Sequence, residues 1–280
     1  MSKASSRAAV RLASARAIGF ADEPSIVRPA RIGVRLTVLG AGPAYSDRAG
    51  SVGAAYLLSS GDRILLLDLG HGAFASLARR CEPSGLLAVA VSHLHPDHFV
   101  DLVPLRHYLR YEFEPGRRVR VIAPEGIGRR LDGLHDEPGF SAQALDVEEL
   151  AEGTRRIGPF ALEARRVTHS EESYGFRVST GGGPGLVYSG DCGAADDLLA
   201  LIRPGDTLLS EVAFGPGPVP PGAQHLDGPA VARIAQRASV ASLLLTHLQM
   251  GYDPDETLES VRSSYDGPVR FVWPGDEIEV

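Results

Sequence analysis

The run Ser92-His93-Leu94-His95-Pro96-Asp97-His98 places three imidazoles and a carboxylate within six consecutive positions, directly after an apolar stretch. Imidazole nitrogen and carboxylate oxygen are ligands for divalent metal ions. On extended chain, residues two apart point to the same side, so His93 and His95 can hold one cation. Asp97 and His98, where the chain turns towards a helix, can reach a second. Three further residues stand where apolar runs end: His169 in Val167-Thr168-His169-Ser170, Asp191 in Tyr188-Ser189-Gly190-Asp191, and His247 in Leu245-Thr246-His247. Taken singly, an aspartate there is more often a helix cap, and a lone histidine more often structural, than either is a metal ligand. Asp68, in Leu67-Asp68-Leu69-Gly70, reads equally as an N-cap for the segment that follows.

These residues need strands to carry them. Residues 32–39, 52–58 and 64–68 read as strands, the last two joined as a hairpin by a turn at Gly61-Asp62. Residues 70–80 have helical spacing, 86–92 form a short apolar strand ending at His93, and the segment up to Tyr111 has apolar residues at helix intervals. Strand returns at 119–123, a helix starts near Pro124, and the polar stretch up to Glu152 carries little pattern. Beyond it, 160–168, 174–179, 186–189, 207–210, 243–246, 269–273 and 278–280 are strand-like, and 226–238 and 254–264 helical. Strands in two groups, each closed by helices, predict an α/β fold of two packed sheets between helix layers. Residues 1–30, rich in Arg, Ala and Ser, read as a flexible N-terminal tail ahead of one domain over 31–280.

Composition narrows the classes further. With 44% apolar and 22% charged residues, the chain of 280 residues has the makeup of a globular protein, not of a disordered one. A formal net charge of -7 argues against a surface that grips nucleic acid through its phosphates. Small anions remain open as substrates, because bound cations reverse the local sign. Cys81 and Cys192 are the only cysteines, too few for a disulfide framework, and no apolar run approaches the ~20 residues of a bilayer span, so a cytoplasmic location is expected.

The run at 93–98 matches the H-x-H-x-D-H signature of the metallo-β-lactamase fold superfamily, and His169, Asp191 and His247 follow in that family's order. The chain from about Arg31 to Val280 resembles this superfamily, with the ribonuclease Z group and compact bacterial cyclic-nucleotide phosphodiesterases most similar. The supporting segments are Ser173-Tyr174-Gly175-Phe176-Arg177, Ser189-Gly190-Asp191, Ser210-Glu211-Val212-Ala213-Phe214, His225-Leu226 and Leu244-Leu245-Thr246-His247. The resemblance implies a four-layer αββα sandwich of two mixed β-sheets flanked by helices. It also implies that His169 completes the imidazoles of the first metal, that Asp191 bridges the two metals and that His247 serves the second. Asp68 would orient a metal-binding histidine, while His225, helped by Glu211, would contact the scissile phosphate. One departure stands out: the long Gly/Pro-rich arm of tRNA-maturing ribonuclease Z is replaced by residues 170–190, whose 181–185 segment reads as a hairpin tip. A second Gly/Pro cluster, 215–222, leads into His225 as a mobile rim or a plain connecting loop.

The function so implied is a binuclear metal-dependent hydrolase cleaving a phosphodiester of small or cyclic nucleotide type, through water activated between the metals and with Asp97 as a further proton acceptor. A carboxyl-ester or lactone hydrolase, or a ribonuclease Z-type endonuclease, is the alternative on the same centre. Two divalent ions are expected, zinc first, with manganese or iron suiting the same ligands. The expected partner is a small phosphodiester or ester substrate, with no stable nucleic-acid complex and no membrane; a homodimer is left open.

Overall fold

Along one strand, Leu65 and Leu67 join one apolar cluster while Leu66 joins another. A strand buried on both faces needs a layer on each side of its sheet. That alternation repeats through the computed structural model, which describes residues 33–280. The expectation for the N-terminal tail lies outside the described residues.

The first half of the chain supplies β1 (Arg35–Gly40), β2 (Ala55–Ser60), β3 (Arg63–Leu67), β4 (Val89–Ala90), β5 (Val119–Ala123) and β6 (Leu145–Glu149). Its helices are α1 (Phe74–Arg80), α2 (Pro96–Phe99), α3 (Leu102–Tyr111) and α4 (Ile127–His135). The second half supplies β7 (Gly153–Ile157), β8 (Phe160–Arg166), β9 (Tyr174–Thr180), β10 (Gly185–Tyr188), β11 (Thr207–Glu211), α5 (Gly228–Ala238), β12 (Ser242–Thr246), α6 (Pro254–Arg262), β13 (Val269–Phe271) and β14 (Glu277–Glu279). One sheet has the order β14-β1-β2-β3-β4-β5-β6 and the other β13-β12-β11-β10-β9-β8-β7. Each is mixed in the same way. Antiparallel pairing runs from β14 to β3 and from β7 to β10, and parallel pairing from β3 to β6 and from β10 to β13.

Leu36, Leu58 and Leu67 of one sheet and Phe160, Phe176 and Leu186 of the other share one buried cluster, which is the seam between the sheets. The outer face of the first sheet buries Val89 and Val121 with Leu77, Leu105, Leu109 and Leu131 of α1, α3 and α4. The outer face of the second buries Leu208, Leu243 and Leu245 with Val231, Ile234 and Ala235 of α5 and Val261 of α6. The layers are therefore αββα, as expected. Among the described residues, no helix is long and apolar enough to cross a membrane.

Several boundaries differ from the sequence reading. The apolar run 86–92 is regular strand only at Val89–Ala90, although Leu87 N still donates to Ile64 O and Val91 N to Ile122 O on either side, and Pro83–Gly85 forms a helical turn before it. Helix α1 begins at Phe74, whose N–H donates to Asp101 Oδ2 at 2.8 Å. Asp68 therefore does not cap it. The unpatterned stretch before Glu152 contains α4, a helical turn at Ser141–Gln143 and the exposed edge strand β6.

Candidate metal centre

The parallel strands of both sheets deliver the chemical residues at their carboxyl ends, where open α/β sheets place their sites. Asp68 follows β3, His93 follows β4 by three residues, Asp191 follows β10, Glu211 closes β11 and His247 follows β12. His169 comes from the turn between β8 and β9, while α2 carries Asp97 and His98. Two of these residues sit in left-handed backbone, Asp68 at φ 57° and His247 at φ 58°. Such conformations cost non-glycine residues of order 1–3 kcal/mol and persist where surroundings impose them. At Gly190, φ is 56° and an added Cβ would lie 2.8 Å from Tyr174 O, so the turn into Asp191 requires glycine.

Two clusters result. His93, His95, His169 and Asp191 present one ligand atom each within 4.8 Å of one another, and so do Asp97, His98, Asp191 and His247. Asp191 belongs to both, and its oxygens divide the work. Oδ2 lies 3.6 Å from Nε2 of His93 and 3.6 Å from Nε2 of His169. Oδ1 lies 3.3 Å from Nε2 of His98 and 3.5 Å from Nε2 of His247. His95 Nδ1 approaches His169 Nε2 at 3.0 Å, and Asp97 Oδ2 approaches His247 Nε2 at 3.3 Å.

The donor set fits divalent cations. His93 Nε2, His98 Nε2 and Asp191 Oδ1 are buried without a hydrogen-bond partner. Leaving such a group unpaired in protein interior costs about 1–3 kcal/mol each, which a cation placed between them removes. Charge crowding points the same way. Burial opposes ionisation of Asp191, yet His247, His98 and His93 around it hold its pKa well below the usual carboxylate range. Burial likewise opposes charge on His98, and Asp191 and Asp68 outweigh it, so the imidazole is held well above its ordinary value. His93 is pushed well below by burial and then by His98. Imidazole and carboxylate ligands of this mix suit zinc, manganese or iron.

Asp68 is fully buried and accepts from His98 Nδ1 at 2.8 Å, so it orients a residue of the second cluster as the resemblance implied. His169 Nδ1 donates to the Gln224 carbonyl at 2.7 Å. At the edge of the clusters, His225 Nδ1 donates to Glu211 Oε1 at 2.9 Å and lies 4.0 Å from Asp191 Oδ2. Burial lowers the His225 pKa, but the Glu211 hydrogen bond and charge prevail and raise it to about 9. Glu211 is itself buried and also accepts from the N–H groups of Cys192 and Ala213. Glu211, His225 and His247 make a third grouping by distance, but Glu211 already occupies Nδ1 of His225. His93, His95, Asp97, His98, His169, Asp191, Glu211, His225 and His247 thus converge here, whereas His71, His107 and His135 belong to none of the three groupings. Sequence reasoning missed the Gln224 carbonyl and the Tyr188 hydroxyl, which donates to Asp68 Oδ2 at 2.7 Å.

Two facing mixed sheets with a His/Asp double cluster at the strand ends define a metallo-hydrolase. The chain belongs to the beta-lactamase superfamily, whose family description, "Beta-lactamase superfamily domain", matches residues 63–248. It is 33% identical to the uncharacterized protein ML1173 of Mycobacterium leprae over 264 residues, covering 92% of each chain. It is 25% identical to a ribonuclease Z of Haloferax volcanii over 309 residues, covering 88% of this chain and 95% of that one. The crystal structure of the metallo-beta-lactamase fold protein YhfI from Bacillus subtilis superposes with a TM-score of 0.79 at 24% identity, covering 89% of this chain and 100% of that one.

Proposed function

We propose that this metallo-hydrolase cleaves a phosphodiester of small or cyclic nucleotide type. The observation that carries the reading is the His225–Glu211 pair beside the shared carboxylate of Asp191. A pair of divalent cations, held by His93, His95 and His169 on one side, Asp97, His98 and His247 on the other, and Asp191 between, would supply an acidified water and a Lewis acid. Glu211, hydrogen-bonded to Nδ1, favours the protonated form of His225. With Nδ1 committed to Glu211, Nε2 is the nitrogen that faces substrate. It can neutralise a non-bridging phosphate oxygen or protonate the leaving alkoxide. That extra positive charge suits an anionic diester better than a neutral ester or lactone. Asp97, itself one of the residues of the second cluster, would also accept a proton from the attacking water.

Small size is supported by what surrounds the centre. A cleft beside His95 is lined by Leu94, Glu125, Arg130, Ser170, Glu171 and Glu172, three carboxylates against one guanidinium, which is poor ground for a run of phosphates. Between His169 and Asp191 the chain makes only β9, the turn before Gly185 and β10. Likeness to a ribonuclease Z gives RNA cleavage standing as a second reading. A panel of bis(p-nitrophenyl) phosphate, cyclic nucleotides, a precursor tRNA and lactones, run with metal-reconstituted protein, separates these readings. Turnover confined to the lactones would sink the phosphodiester proposal.

A further inference from the structure

Asp68 receives more than the one histidine its orienting role requires. Its Oδ1 accepts from Ser92 N at 2.6 Å, and its Oδ2 lies 2.8 Å from Ser92 Oγ, 2.8 Å from His98 Nδ1 and 2.7 Å from Tyr188 Oη. An ionised carboxylate only accepts, so each of these partners must donate. The Ser92 hydroxyl has a single proton, and Asp68 takes it. Ser92 Oγ also lies 3.1 Å from His93 Nδ1, where the oxygen can now only accept. His93 must therefore carry its proton on Nδ1, as His98 does opposite Asp68. The Nε2 atoms of both rings are the buried ones without partners, and they face opposite oxygens of Asp191.

We propose that Ser92 is a positioning residue that relays the demand of Asp68 to His93, so that one buried carboxylate fixes the tautomer of a ligand in each cluster. This rests on the metallo-hydrolase reading of the site. His98 is fixed by Asp68 directly at 2.8 Å, with the Ser92 hydroxyl a longer 3.4 Å from the same Nδ1; His93 is fixed through the hydroxyl alone, at 3.1 Å. Tyr188 fills the remaining approach to Oδ2 and holds the carboxylate from the second sheet, so the relay spans both layers. Without the hydroxyl, His93 Nδ1 has no acceptor, and the ring can adopt the Nε2–H form, which offers no lone pair to a cation.

The test uses full-length protein stripped of metal, compared as wild type, Ser92→Ala and Ser92→Thr. Zinc affinities are measured by chelator competition, with His95→Ala and Asp97→Asn identifying which step belongs to which cluster. Nitrogen-15 spectra of histidine rings in the metal-free proteins read the His93 tautomer directly. Ser92→Ala should weaken the His93 cluster about 10–100-fold, the usual scale for losing a partner of a metal-binding histidine, while the His98 cluster stays within about twofold. The Nδ1–H signal of His93 should fade in Ser92→Ala and persist in Ser92→Thr, which should bind zinc like wild type. Equal weakening of both clusters in Ser92→Ala, or an unchanged His93 tautomer, overturns the relay. If wild type takes up none of zinc, manganese and iron, the metallo-hydrolase reading fails instead, and the tautomer spectra still decide the relay.

Discussion

Each carboxylate oxygen of Asp191 faces a different set of imidazoles, Oδ2 towards His93 and His169 and Oδ1 towards His98 and His247. A neutral amide in its place cannot offset two cations a few ångströms apart. Asp191→Asn should lose at least one metal by elemental analysis and nearly all turnover; two retained metals with near-normal rates would remove Asp191 from the bridging position. His225 is argued to serve substrate, so His225→Ala should keep its metals while kcat falls about 100-fold or more. Loss of metal in that variant would make His225 a ligand. Glu211 is assigned the raised pKa of His225, and the sign follows from that direction. In the metal-free protein, His225 titrates near 9. Its protonation contributes stability that is fully present below an unfolded value of about 6.5 and is lost as pH rises through the folded value. Glu211→Gln should lower the His225 midpoint, followed by NMR titration, and flatten the fall in stability on the alkaline side. An unmoved midpoint would mean that Glu211 does not set the charge.

At the scale of elements, the strands legible in the sequence are those with apolar residues on both faces. The apolar pattern coincides with the strand at 119–123 and agrees with β9, β10, β11 and β12 to within a residue at their ends. The edge strands β6 and β7 carry Leu-Asp-Val-Glu-Glu and Gly-Thr-Arg-Arg-Ile, mostly exposed, and offered no such pattern. Ligands were legible because chemistry concentrates unlike residue types at short spacing. Their supports were not: the Gln224 carbonyl lies 55 residues from His169, and Tyr188 lies 120 from Asp68, distances over which only the fold brings partners together. A close approach of elements also holds α2 in place. Ala54 N donates to Asp97 O at 3.0 Å, and Leu69 N donates to His98 O at 2.8 Å. A Cβ built on Gly70 would lie 1.8 Å from Asp97 O. Gly70→Ala must therefore push α2 outward, at a cost of about 1–3 kcal/mol on the scale of overpacked interiors. The expected result is a lower Tm together with weaker zinc binding at the cluster containing Asp97 and His98. A wild-type Tm and affinity would show that α2 is not held by this contact.

The whole molecule decides how large a substrate the centre can serve. A precursor tRNA must be gripped far from the scissile bond, and each phosphate contact needs a cation on the protein. This chain has a formal net charge of -7, and among the described residues many arginines are paired with carboxylates: Arg118 with Asp146, Arg120 with Glu148, Arg166 with Glu172 and Arg177 with Asp206. The stretch between β9 and β10 is a tight turn, too short to extend along an RNA stem. A cyclic or otherwise small diester asks for much less, namely the double cluster, His225 and a short wall such as the cleft beside His95. Steady-state kinetics on metal-reconstituted protein should therefore give kcat/KM for small phosphodiesters well above that for any precursor tRNA. The small-substrate rate should also be only weakly salt-dependent, because the charges that matter are buried beside the reaction instead of spread over a surface. Efficient 3′ processing of precursor tRNA, falling steeply with added salt, would overturn this and would require a second basic surface to do the gripping.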